Sequence, residues 1–228
     1  MAANVIVSYD GTDNDTDALM LGRVLMDAGA RLTLAYVRHT TQSERSREEL
    51  EEHEAEALLA LGANWLGDPD VERRVVVSGS TGEGLKWLAE QEEADIVVFG
   101  SDYRTAPGHD SPQRSAQILL EGGPAAVAIA PANYRADLRP RITTVGVLAA
   151  PGDDAAIETA RELAESVGAT VTRDERRVDL LVVGSRSEAP HGRVMVSSQA
   201  QNEIENATAP VLVVARGVPL EFGTLAGV

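Results

Sequence analysis

At 228 residues the chain has room for one large domain or two modest ones, and its 43% hydrophobic and 25% charged content argues for packed cores rather than disorder. Thirty-six acidic against 20 basic residues leave a formal charge of −16, a field that repels phosphate backbones and argues against general nucleic-acid binding. The absence of cysteine removes disulfides, thiolate metal sites and cysteine nucleophiles, and no apolar run approaches the ~20 residues of a membrane helix. Met1-Ala-Ala-Asn-Val5 runs straight into a strand-like segment without the basic and apolar regions of a signal peptide, so a cytoplasmic protein is expected.

The first strand reads at Val5–Tyr9 and ends on Asp10-Gly11-Thr12. A helix follows from about Asp13 to Ala28, with Ala18, Leu21, Leu25 and Ala28 at helical spacing and Gly29 as its stop. Leu32–Val37 is a second strand, and Glu44–Trp65 a long helix with Leu50, Ala57, Leu58, Leu61 and Trp65 on one stripe. Its Glu-Glu-Leu-Glu-Glu-His-Glu run reads as the solvated face rather than a metal site. A third strand covers Glu72–Val77, a third helix Gly82–Gln91, and a fourth strand Ile96–Phe99 ends at Gly100-Ser101. Ser111 suits the cap and Pro112 the first position of a short fourth helix, which Gly122-Gly123 ends. Ala125–Ala130 is a fifth strand, and Pro131–Tyr134 with Arg139-Pro140 reads as a linker. This alternation predicts an α/β fold, a doubly wound parallel five-stranded sheet with helices on both faces.

The pattern then recurs in shortened form. Residues 95–130 align without a gap on residues 179–214, at the offset of 84 that separates Gly100 from Gly184. Near the start of each copy the offset is about 140, as between Val5 and Val145, so the second copy lacks about 56 residues. The missing part corresponds to the second helix, third strand and third helix. A parallel crossover takes about a dozen residues, and too few remain after a strand at Ala169–Thr172. The expectation is therefore a truncated second copy with a three-stranded parallel core, in which Ala169–Val178 forms an irregular or antiparallel excursion. The domain boundaries read as 1–135, 141–217 and a C-terminal tail at 218–228.

Gly100-Ser101 and Gly184-Ser185 each end a strand and open a loop before a helix N-terminus, where unpaired amides and the helix dipole favour an anion. With the Asp10-Gly11-Thr12 turn and the repeated βα order, these residues carry a resemblance to the universal stress protein family over nearly the whole chain. Ala94-Asp-Ile-Val-Val-Phe-Gly100-Ser101, Ser115-Ala-Gln-Ile-Leu-Leu and Ala126-Val-Ala-Ile-Ala-Pro131 resemble it most directly, and Leu-Leu-Val-Val-Gly184-Ser-Arg and Ala209-Pro-Val-Leu-Val-Val repeat the theme.

The resemblance implies an adenine-nucleotide α-hydrolase-like fold. It also implies an adenine nucleotide such as ATP in the first copy, with Mg only as the companion of ATP. The residues it assigns are Asp10 and Gly11 after the first strand, Val37 along adenine, and Gly100 and Ser101 at the phosphates. Arg114, standing where phosphate amides are missing, reads either as a solvated helix-start residue or as an anion ligand. The chain departs from the family's Gly-x-x-Gly, nine residues, Gly-Ser pattern: Tyr103 stands for the second glycine and Gln113-Arg114 for the Gly-Ser pair. In the second copy Gly184 and Ser198 match, Ser187 and Ser197 replace glycines, and Ala149 or Ala150 replaces the acid.

Asp10 has a second reading as a turn residue that satisfies local amides. The four histidines show no metal-ligand spacing, and no catalytic set is found, so a binding or regulatory module is expected rather than an enzyme. The alternative is a structural module that binds no nucleotide, with the second copy as a built-in dimer partner. Neither reading involves nucleic acid or membrane. The two copies are expected to pack through their fifth strands as an intramolecular pseudo-dimer, with further homo-oligomerisation open.

Overall fold

The computed structural model describes residues 2–39, 45–173 and 177–223. The expected helix start at Glu44, the side chain of Leu50 and the end of the tail lie outside what it describes. The first copy comprises β1 (Asn4–Ser8), α1 (Asp13–Asp27), β2 (Arg31–His39), α2 (Arg45–Leu66) and β3 (Glu72–Ser78). It continues with α3 (Thr81–Gln91), β4 (Ile96–Gly100), α4 (Arg114–Leu120), β5 (Glu121–Gly123) and β6 (Ala126–Ala130). The second copy comprises β7 (Thr144–Leu148), α5 (Ala155–Val167), β8 (Thr170–Thr172), β9 (Leu180–Gly184), β10 (Val194–Met195), α6 (Ser198–Asn206) and β11 (Val211–Val214).

Nine strands form one sheet in the order β3-β2-β1-β4-β6-β11-β9-β7-β8. Every neighbouring pair is parallel except β6 and β11, which meet antiparallel with Val211 opposite Ile129, Leu212 opposite Ala128 and Val213 opposite Val127. The two copies therefore join at their last main strands, as expected. The central strands β4, β6, β9 and β11 are buried along their whole length, as sheets covered on both faces require. Residues of α1, α2 and α5 pack on one face, and those of α3, α4 and α6 on the other. A two-stranded ribbon of β5 and β10 ties the copies together a second time.

Two sequence expectations need correction. The second copy has four strands, not a three-stranded core, because β8 pairs in parallel with β7 from Thr144 opposite Thr170 to Gly146 opposite Thr172. The crossover argument assumed a strand running to the top of the sheet. Instead β8 stops after three residues, level with the middle of β7, and the return to β9 is correspondingly short. The returning chain passes over β7 where that strand has no side chain: a Cβ on Gly146 would lie 2.8 Å from Val178 Cγ1. The fourth helix also starts later than expected, at Arg114. Ser111 and Pro112 are held extended, Pro112 bridging Ser101 and the Ser111 amide donating to Ser101 Oγ, and Gln113 becomes the N-cap without a side-chain bond.

The linker and the tail are both tied down. Asp17 of α1, 2% exposed, accepts from the amides of Asn133 and Arg135 at 2.8 Å each and from the Arg135 guanidinium at 2.9 Å. In the second copy the Thr159 hydroxyl of α5 accepts from the Leu220 amide at 2.9 Å, and Asp153 accepts from Gly217. Leu220 and Phe222 are buried in the core beneath α1 and α5, so this part of the tail staples the second copy to the first. Gly223 lies against Gly29, just past the end of α1.

Candidate ligand-binding cleft

In the order β3-β2-β1-β4, chain direction of travel reverses between β1 and β4, and open α/β sheets place ligands beyond the strand ends at such a switch point. A cleft of about 730 Å³ lies there. Its walls come from the end of β1 (Ser8, Tyr9, Asp10), the start of α1 (Thr12–Asp15), the end of β2 (Tyr36, Val37, His39), Thr81, Tyr103, Gln113 and Ser115. A pocket of this size suits a nucleoside-sized molecule.

The six residues assigned from the sequence do not converge on this cleft. Asp10 and Val37 line it. Asp10 is exposed and also serves its own turn, accepting from the Thr12 amide at 3.0 Å. Gly11 adopts φ +85 in that turn, and a Cβ there would reach Leu58. Gly100 answers a packing demand: a Cβ would lie 1.9 Å from the Asn14 carbonyl oxygen, so glycine lets the first turn of α1 sit directly on β4. Ser101 is buried, its amide donating to Ala130 O at 3.0 Å, its hydroxyl donating to the same oxygen at 2.9 Å and accepting from the Ser111 amide. Ser185 repeats that latch in the second copy, donating to Val214 O at 2.7 Å and accepting from the Met195 amide. Arg114 is exposed and is not part of the cleft wall.

Sequence reasoning missed Asp15. Its carboxylate accepts from the Asp10 amide at 2.6 Å, while its own amide is capped by the Thr12 hydroxyl. Burial, and after it the charge of nearby Asp10, pushes the Asp15 carboxyl well above the usual carboxylate range. The Thr12-x-x-Asp15 spacing, a helix cap with an acid at the third helical position, was the available signal. The clustering of Tyr9, Tyr36 and Tyr103 around one cleft had no such signal, because three distant segments supply them.

The corresponding hollow of the second copy is about 290 Å³, bounded by Leu148–Pro151, Gly184, Arg186–Glu188, Ser197, Gln199 and Ala200. Where the first copy has Asp10, this one has alanines, and β8 ends before it can form a wall.

Another acid, Asp110, lies where the first-copy loop meets the second copy, its amide donating to Ala207 O. It is 2% exposed, and its Oδ2 meets no partner among the described residues. Burial raises its pKa well above the usual range, opposed by a hydrogen bond from Ser101. The folded chain then holds a proton that the unfolded chain releases. Stability is fullest below the ordinary carboxylate pKa and falls as pH rises toward the raised value. Asp110→Asn is expected to raise Tm at pH 7 by about 2–4 °C, near 1 kcal/mol, and to change it little at pH 4. Melting curves across that range check this, and an equal effect at both pH values would count against ionisation as the cause.

The family model described as the universal stress protein family matches residues 1–110 and 165–215, more than half of the chain. The chain belongs to the universal stress protein family. Among solved structures, a universal stress protein from Archaeoglobus fulgidus DSM 4304 superposes with a TM-score of 0.68 at 15% identity, covering 94% of this chain and 98% of that one. A functionally unknown protein from Pseudomonas aeruginosa PAO1 gives 0.61 at 12% identity, over 95% and 93% of the two chains. These two similarities extend the shared fold through both copies. A universal stress protein solved in complex with cAMP gives 0.36 at 24% identity, over 42% of this chain and 75% of that one. No curated protein matches. As in other universal stress protein chains, the sheet is mostly parallel and clothed by helices, and no helix of the described residues is long and apolar enough to cross a membrane.

Proposed function

We propose that this protein is a stress-response binding module, not an enzyme, that holds an adenine-containing ligand in the cleft of its first copy. The observation that carries the reading is the cleft's position beyond β1, β2 and β4, with Asp10 and Val37 in its wall. The second copy completes the fold as a built-in partner and holds no ligand, since its hollow has alanines where Asp10 stands in the first copy and lacks the long second strand. The adenine and ribose end of a nucleotide fits the residues present; the polyphosphate end does not, because the Ser101 amide and hydroxyl are already bonded within the protein.

Calorimetric titration of the purified chain with adenine ligands tests the reading, and one site per chain is expected. Asp10→Ala is expected to reduce the ligand-induced thermal shift while leaving the ligand-free Tm within about 2 °C, since Asp10 is exposed and its loss removes one turn bond. An unaltered shift in the variant would count against Asp10 as a ligand contact. Absence of any adenine ligand response from a folded chain would favour the structural reading, in which the second copy's role as partner is the whole function.

A further inference from the structure

The cleft's wall has a chemistry that discriminates among adenine ligands. Asp10, Asp13 and Asp15 face it, while among the described residues of its lining only His39 can carry positive charge. The nearest arginine from the linker, Arg135, is held by Asp17 and Asp13 through ion pairs of 2.9 Å each. Arg104 lies over the Tyr103 ring, 4.9 Å from its centroid, outside the wall. The rest of the wall mixes small polar side chains, among them Thr12, Thr81 and Ser115, with an aromatic and aliphatic part made of Tyr9, Tyr36, Tyr103 and Val37. Tyr103 is 70% exposed on the rim, with Arg104 over one face of its ring.

We infer that the first-copy cleft selects a nucleoside without phosphates over the corresponding nucleoside triphosphate. This rests on the adenine-ligand reading and narrows it. Aromatic faces favour a planar base whatever the ligand's charge. A carboxylate on the ribose side accepts hydrogen bonds from hydroxyls and repels phosphate oxygens. A triphosphate would set several negative charges beside Asp10 and Asp13 in a protein already at −16, with no free hydroxyl or amide at Ser101 to receive them. Asp15, whose carboxyl is pushed up by burial and then by the charge of Asp10, lies in the same wall.

The test is calorimetric titration of the full chain with adenosine, AMP and ATP, with and without Mg, at about 0.05 M and about 0.5 M salt. Affinity is expected to fall in the order adenosine, AMP, ATP, with ATP at least about tenfold weaker than adenosine at low salt and the gap narrowing at high salt. Gln113→Arg supplies the missing cation on the cleft wall, at an N-cap that makes no side-chain bond and so is tolerant of change. That variant is expected to tighten ATP about tenfold relative to adenosine, and an unchanged ratio of the two affinities counts against charge as the basis of the selection. ATP binding as tightly as adenosine, with or without Mg, overturns the inference while the adenine reading survives. A chain that binds none of the three overturns both.

Discussion

Gly100→Ala is expected to destabilise the chain by about 3 kcal/mol or more, enough to deplete the soluble folded protein, while Gly184→Ala costs about 1 kcal/mol. The two glycines occupy the same place in the two copies, each ending the strand that leads into the latch serine. At Gly100 the new methyl would sit 1.9 Å from the Asn14 carbonyl oxygen and 2.5 Å from its carbon. That is a collision with backbone in the first turn of α1, which cannot be relieved by a side-chain rotation. Either α1 lifts from β4, uncovering the buried face of Leu19, Leu21 and Leu25, or β4 moves against β1. At Gly184 the nearest atom is also backbone, the Ala150 amide nitrogen, but at 2.9 Å the overlap is much smaller than at Gly100 and a smaller shift relieves it. Urea titrations of both variants check the ranking. Equal costs would show that the closeness of α1 to β4 is not what Gly100 serves.

The order of elements was readable in the sequence because strand and helix periodicities alternate cleanly and the second copy repeats residues 95–130 without a gap. The antiparallel join was readable for a different reason. Val211–Val214 is apolar throughout, and such a strand cannot be left as an edge. What failed was geometry that depends on where a strand stops. Nothing local tells that β8 ends at Thr172, and the crossing over Gly146 is visible only once Val178 fills the missing side chain's space.

The cleft was half legible. Asp10 and Val37 face it because they end adjacent strands, which alternation alone predicts. Gly100-Ser101 misled, since a glycine-serine pair after a strand fits a phosphate loop and a structural latch equally well. The decision comes from Ala130, 29 residues away, whose carbonyl takes the Ser101 hydroxyl. Val214 does the same for Ser185 at the same separation, in the copy with the smaller hollow. A bond that recurs in both copies, whatever the size of the hollow beside it, belongs to the fold. Asp17 left a fainter signal, a charged residue on the buried side of α1 one turn before Leu21, and its partners in the linker lie 116 and 118 residues away.

The fragment Arg141–Val228, expressed alone, is expected to be insoluble, molten or dimeric. It would keep β7, β8, β9 and β11 with one long helix on one face and α6 on the other, but would lose the neighbour of β11. Val211, Leu212 and Val213 are fully buried against their surroundings in the whole chain, and β6 supplies the far side of that packing. Exposing side chains of this size costs about 1.5–3 kcal/mol each, and three of them rival the about 5–15 kcal/mol that holds a typical domain together. Leu220 and Phe222 add to the loss, because the tail that carries them reaches Gly29 of the first copy, and β10 loses its ribbon partner β5. An open edge of Val-Leu-Val-Val also invites pairing with another chain, and the lowest-cost partner is a second copy of the fragment meeting β11 to β11 in the antiparallel sense that β6 now provides. Sedimentation and thermal melting of the fragment check this. A monomer with a sharp transition near that of the whole protein would show that the join at β6 and β11 is a contact between independent domains rather than the centre of one sheet.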